Sequence, residues 1–220
     1  MNKKEFEKLA EEGFNHVPLV LECFADLDTP LSIYLKYANK PFSYLLESVQ
    51  GGEQFGRYSF VGLPSRIRYE VRGHTCIEIC DDAVVAQVER EDPIGWVSEL
   101  QQRTKAYYRD DLPRFLGGLV GYFGYETVHM IESRVGRGKS KTDPIDCPDI
   151  LLLHSEEVIV YDNLAGKLYF VVFANPQDTE AYELGQTRLA ELFAALRKPI
   201  DEPEEGAHEL AVPHEETPQD

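Results

Sequence analysis

The chain is poor in cysteine and in positive charge, and it holds no long apolar run. A bilayer-spanning helix needs ~18 or more consecutive apolar residues, and no stretch approaches that length, so no transmembrane helix is expected. The first residues, Met1-Asn2-Lys3-Lys4-Glu5, are polar and carry no apolar signal core. Of the four cysteines (Cys23, Cys76, Cys80 and Cys147), only Cys76 and Cys80 are close in sequence. They lie in a strand-like stretch, where residues four apart share a face at about 13 Å, too far for a disulfide or a single metal ion. No His/Cys cluster has zinc spacing, so no metal is expected, and reduced cysteines of a cytoplasmic protein are the simplest reading. Basic residues number 22 against 39 acids, for a formal charge of −17. Eight of those acids lie in 199–220, which has no Lys or Arg, and residues 1–198 carry about −9 (22 against 31). Such a surface repels nucleic-acid phosphates and anionic membranes, so neither is an expected partner.

Catalytic signatures are also missing. Gly117–Gly124 invites a phosphate-loop reading, but Leu119 sits where G-x-G-x-x-G needs its second glycine, so close packing is expected there. Gly138-Lys139-Ser140 resembles the end of a P-loop, yet position 133 is Ser where Gly is required. The six histidines (His16, His74, His129, His154, His208 and His214) show no pairing in sequence, and there is no Ser/His/Asp or Cys/His pattern, so no catalytic residue is assigned. Arg134, Arg137, Lys139 and Lys141 read as a solvated basic loop, with docking of a partner subunit as the sharper alternative.

What is present is a mixed pattern of helices and strands. Residues 3–12 suggest a short polar helix. Thr29-Pro30 opens a second, with Thr as N-cap and Pro at the first helical position. Residues 42–48, 58–63, 67–72, 75–79 and 83–88 read as strands of a meander, with turns at Gly51-Gly52, Gly73-His74 and Asp81-Asp82. Asp92-Pro93 starts a helix with Ile94, Val97, Leu100 and Gln101 on one face. Strands follow at 116–123, 150–154, 157–161 and 167–174, with a helical turn at 126–131 and a turn at Asn163–Gly166. A long helix over 178–197 has Leu184, Leu189, Leu192, Phe193 and Leu196 as its apolar stripe. Antiparallel-like runs with interspersed helices argue for the α+β class. The tail 199–220, with four prolines and eight acids, reads as a disordered or linker segment.

The most informative segment is Leu45-Leu46-Glu47-Ser48 followed by Arg57-Tyr58-Ser59-Phe60-Val61-Gly62. If the two strands pair, Glu47, Ser48, Arg57 and Ser59 come close together, with Leu46, Phe55 and Tyr58 available to line an apolar slot. A carboxylate can hold an amino group and a guanidinium or hydroxyl a carboxylate, which is the inventory for gripping a free amino acid. Tyr58 and Ser59 alternate across the strand, and the sequence leaves open which of them faces the slot.

These residues, with Thr29–Tyr34, Gly117–Glu126 and Pro148-Asp149, resemble in order and spacing the N-terminal part of anthranilate synthase component I, over roughly residues 10 to 195. The resemblance implies a largely antiparallel β-sandwich wrapped by helices. It implies that Leu46, Glu47, Ser48, Arg57, Tyr58 and Ser59 belong to the site where L-tryptophan binds as feedback inhibitor. It further implies an allosteric lyase of tryptophan biosynthesis that converts chorismate to anthranilate and pyruvate. That enzyme uses Mg2+ and ammonia supplied from glutamine by a glutamine amidotransferase subunit. The family's Gly-Thr-Arg-Pro-Arg-Gly type segment is not found, so residues 1–198 are expected to be the N-terminal regulatory domain. The C-terminal chorismate-binding half, which binds the Mg2+, is expected to be absent from this chain, and the chain alone is expected to be inactive. Two alternatives stand beside this reading: the matching domain of aminodeoxychorismate synthase component I, and a stand-alone amino-acid-binding module.

Overall fold

A computed structural model describes residues 1–25, 27–47, 56–132 and 145–199. Ten strands form two five-stranded antiparallel sheets, and five α-helices pack on or beside them among the described residues. The first sheet has the order β1-β10-β9-β3-β2, built from β1 (Val17–Phe24), β2 (Tyr44–Leu46), β3 (Tyr58–Gly62), β9 (Glu157–Asp162) and β10 (Lys167–Ala174). The second has the order β6-β5-β4-β8-β7, built from β4 (Ile67–Arg72), β5 (Thr75–Cys80), β6 (Ala83–Glu89), β7 (Gly118–Phe123) and β8 (Ile150–Ser155). The α+β class and the antiparallel pairing agree with expectation.

Period-two alternation gives the first sheet two buried faces. Val17, Leu19, Val61, Ile159, Leu168, Phe170 and Val172 meet Phe6 and Leu9 of α1 (Lys3–Glu11), Ile33 of α2 (Pro30–Tyr37) and Leu189 and Leu192 of α5 (Ala181–Ala195). The opposite face holds Val158, Val160 and Val171 under Leu116. The second sheet buries Tyr69, Val71, Ile150 and Leu152 against Trp96, Val97 and Leu100 of α3 (Pro93–Arg103). Local chemistry starts the helices as the sequence requires. Asn2 and Glu5 form a capping box on α1, Thr29 and Ser32 form one on α2, and the Asp92 carboxylate accepts from Gly95 N at 2.8 Å on α3. The helical turn expected near 126–131 is a 3-10 turn, Tyr125–Thr127, followed by α4 (Val128–Ile131).

Several expectations change. The five strands of residues 42–88 are not one meander, because β3 lies in the first sheet and β4 in the second. The chain switches sheets at Leu63–Arg66, where Pro64 has no N–H to continue a ladder. Strand β1 has no counterpart in the sequence reading; Pro18 argues against a strand, yet β1 is an edge strand, where a missing donor is tolerated. On α3, Trp96 is buried and Gln101 is exposed. On α5, Leu184 is exposed, and Gly185 is buried against Leu19. The glycine-rich β7 does permit close approach, since a Cβ on Gly121 would overlap the Leu151 carbonyl of β8. The Gly51-Gly52 turn, Gly138–Ser140, the basic positions Arg134, Arg137, Lys139 and Lys141, and residues 200–220 lie outside the described residues.

Candidate functional site

Strand β2 is three residues long and, among the described residues, pairs only with β3, with Tyr44 opposite Gly62, Leu45 opposite Val61 and Leu46 opposite Phe60. Gly62 is required by its neighbour, because the Tyr44 ring lies where a Cβ would stand. The Tyr44 hydroxyl bonds to Ser155 Oγ at 2.8 Å, and burial pushes its pKa up to about 12. Glu47 follows the last residue of β2 and is exposed, and Leu46 is 45% exposed at the edge of the sheet. Ser48 and Phe55 lie outside the described residues.

On β3 the alternation separates the two residues that the sequence left unresolved. Ser59 is buried, on the same side as Val61 and the helices. Tyr58 is on the other side with Phe60, at a ring separation of 6.2 Å, and Phe60 meets Phe115 edge-on at 5.1 Å. Leu46, opposite Phe60, belongs to the Tyr58 side.

Arg57 is already engaged. Its Nε donates to Asp162 Oδ1 and Oδ2 at 3.1 and 3.0 Å, and its Nη2 donates to Oδ2 at 2.7 Å. Its guanidinium also lies 4.9 Å from the centre of the Tyr58 ring. Asp162 is fully buried and accepts from Leu164 N and Ala165 N as well, both at 3.0 Å. Burial alone would raise its pKa, but the Arg57 hydrogen bonds and these two N–H groups outweigh it and hold the carboxyl below the usual range. Asn163 completes the network: its N donates to Arg57 O at 2.8 Å and its Nδ2 to Ser59 Oγ at 3.1 Å. Arg57 and Ser59 are thus brought together, through the β9–β10 turn and not through a direct bond. Asp162 and Asn163 are the partners that sequence reading missed; their only signal was the Asn163–Gly166 turn, which says nothing about what docks against it.

A cleft of about 750 Å3 lies away from these residues, lined by Arg66, His154, Glu156, Glu157, Gly185 and Arg188 among others. In it Arg188 grips Glu157 through Nε at 2.8 Å and Nη2 at 2.9 Å. Among the described residues no helix is long and apolar enough to cross a membrane.

No protein-family model matches the chain. Anthranilate synthase component 1 of Pseudomonas putida is 50% identical over 200 residues, covering 91% of this chain and 40% of that protein. The same component from Neisseria meningitidis serogroup C is 44% identical over 90% of this chain, and that from Aquifex aeolicus 37% over 90%. A solved structure, anthranilate synthase component I from Streptococcus pneumoniae TIGR4, matches with a TM-score of 0.53 at 21% identity, over 80% of this chain and 37% of that one. It supports the fold. The chain therefore spans about two fifths of the length of the curated relatives it matches. Over nine tenths of its own length the chain is a homologue of anthranilate synthase component 1, corresponding to the N-terminal 40% of those proteins.

Proposed function

We propose that this chain is the regulatory part of a complete enzyme that converts chorismate and glutamine-derived ammonia to anthranilate and pyruvate in the cytoplasm. In that enzyme it contributes one wall of a tryptophan feedback site. The observation that carries the reading is 50% identity sustained over 91% of the chain. The partners are a C-terminal chorismate-binding half and a glutamine amidotransferase subunit. Magnesium belongs to that other half. The histidine-rich donor group in this chain (His16, His154 and Glu156) does not suit an ion that prefers oxygen ligands.

Within the sensor, Leu46 and Tyr58 supply the apolar wall for an indole, and Glu47 and Ser48 supply the polar groups for the amino-acid end. Arg57 and Ser59 are positioning residues: Arg57 holds Tyr58 from Asp162, and Ser59 ties β3 to Asn163. Tryptophan inhibits by binding one arrangement of the two halves more tightly than the other, and a few kcal/mol of difference suffices.

The test is a tryptophan titration of anthranilate formation by the complete protein. Ser48→Ala loses one neutral hydrogen bond, about 0.5–1.5 kcal/mol, so inhibition weakens several-fold. Ser48→Phe fills the slot and abolishes inhibition. Tyr58→Ala removes the wall and raises the inhibitory concentration, with basal activity retained in all three. Equal inhibition in all variants overturns the sensor. A complete protein that makes aminodeoxychorismate in place of anthranilate overturns the enzyme assignment.

A further inference from the structure

Where the two sheets meet, the fold assembles three metal-ligating side chains that lie far apart in sequence. Strands β8 and β9 are separated by one residue, Glu156, at which the chain crosses from the second sheet to the first. His154 is the residue before the end of β8, and His16 immediately precedes β1. One donor atom from each of His16, His154 and Glu156 lies within 4.8 Å of the other two. His16 is 7% exposed, and both His16 Nε2 and His154 Nδ1 are buried with no hydrogen-bond partner among the described residues. A buried polar nitrogen without a partner is costly, and here two such nitrogens belong to imidazoles stacked at 5.4 Å.

The surroundings hold these donors in place. The His16 ring lies parallel to Phe173 at 3.9 Å and stacks on His154 at 5.4 Å. His16 O accepts from Tyr107 N at 2.9 Å, Glu156 O from Phe173 N at 2.9 Å, and His154 O from Ser65 Oγ at 2.8 Å. The 750 Å3 cleft is lined by His154 and Glu156, which opens a route for an ion and a place for an exchangeable water. Burial, with His154 alongside, pushes the His16 imidazolium down to about 4, so the ring is neutral near pH 7, as a ligand must be.

We propose that His16, His154 and Glu156 bind one cation of the zinc class, with the fourth position open to the cleft. Two imidazoles and a carboxylate are a zinc donor set. Tetrahedral bonds of about 2.0–2.1 Å place donors ~3.4 Å apart, so closing around the ion requires a contraction of at most about 1.4 Å from the 4.8 Å limit observed. The ion would pin the start of β1 to the β8–β9 crossing and so brace the two sheets against each other.

The test uses the full 220-residue chain, stripped with a chelator and titrated with Zn2+ by calorimetry and with Co2+ by visible absorption. His208→Ala/His214→Ala serves as background, to remove tail histidines. The expected result is one ion per chain in this background, with the intense visible bands of four-coordinate cobalt. His154→Ala and Glu156→Gln should each weaken Zn2+ at least about tenfold, a loss of ~1.4 kcal/mol, while circular dichroism stays native. Zn2+ should raise the unfolding temperature of the background but not of His154→Ala. His74→Ala, at an exposed turn, should bind as the background does. No Zn2+ bound at micromolar concentration, or binding indifferent to both His154→Ala and Glu156→Gln, overturns the site and leaves a stacked pair of histidines.

Discussion

Asp162 shows how one side chain can organise a site that its sequence neighbourhood does not announce. Arg57 has acids nearby in sequence, at Glu47 and Glu53, and either was a reasonable partner on the surface. The structure gives it instead a fully buried carboxylate on another strand, together with two backbone N–H groups on the same carboxylate. No local pattern encodes that pairing, because it depends on β3 lying next to β9 in register, with Tyr58 opposite Asp162. The sequence names Arg57, Tyr58 and Ser59 as residues of a tryptophan site; their engagement with Asp162 and Asn163 is visible only in the structure. Asp162→Asn is expected to cost roughly 1–3 kcal/mol at pH 7, since an amide cannot accept all these donors. The carboxyl titrates lower in the folded chain than its unfolded value of about 3.9. Its contribution is therefore complete above that value and lost as pH falls through the folded pKa. Urea unfolding of wild type and variant should show a gap that is constant at neutral pH and narrows below about pH 4. A gap that widens on acidification would contradict the pairing.

At the scale of elements, strong local chemistry was legible and compensated chemistry was not. Thr29-Pro30 and Asp92-Pro93 began helices where the capping rules place them. Strand β1 escaped because Pro18 speaks against a strand, and only the sheet order reveals that β1 is an edge. The face of α5 was read partly out of phase: Leu189, Leu192 and Leu196 are buried as expected, but Leu184 points away from the core and Gly185 takes the contact with Leu19. Apolar residues on a helix outnumber those its docking face can bury, so periodicity alone does not rank them. Alanine substitution distinguishes the two. Leu189→Ala, at 1% exposure, should cost about 2–5 kcal/mol through lost burial and the cavity left behind. Leu184→Ala, at 64% exposure, should stay within about 0.5 kcal/mol of wild type. Equal losses in thermal or urea unfolding would mean that the helix docks in another rotation.

For the whole molecule, the sequence supported an α+β fold but not the partition of its strands between two sheets. Five successive strands with good turns read as one meander, and the switch at Pro64 is visible only once β3 is seen beside β9 and β4 beside β8. The same partition raises the question of whether residues 1–198 unfold as one unit. Connections between the sheets are polar and specific: Tyr44 bonds to Ser155 across them, Ser65 Oγ ties the Leu63–Arg66 crossing to Ile67 O and His154 O of the second sheet, and the single residue Glu156 joins β8 to β9. Each crossing is too short to act as a linker, so opening one sheet strains the other, and a single cooperative transition is expected. The chain carries its own reporters. Its one tryptophan, Trp96, is 4% exposed in the second sheet's core, edge-on to Tyr69 at 6.0 Å. Most of the helix, in α1, α2 and α5, packs on the first sheet instead. Tryptophan fluorescence therefore follows the second sheet and helical ellipticity mainly the first. In urea the two curves should superimpose, and Leu189→Ala, made in the first core, should move the Trp96 transition by the same amount as the ellipticity. A Trp96 transition that stays in place while the ellipticity shifts would divide the chain into two domains, with the boundaries at the Pro64 and Glu156 crossings.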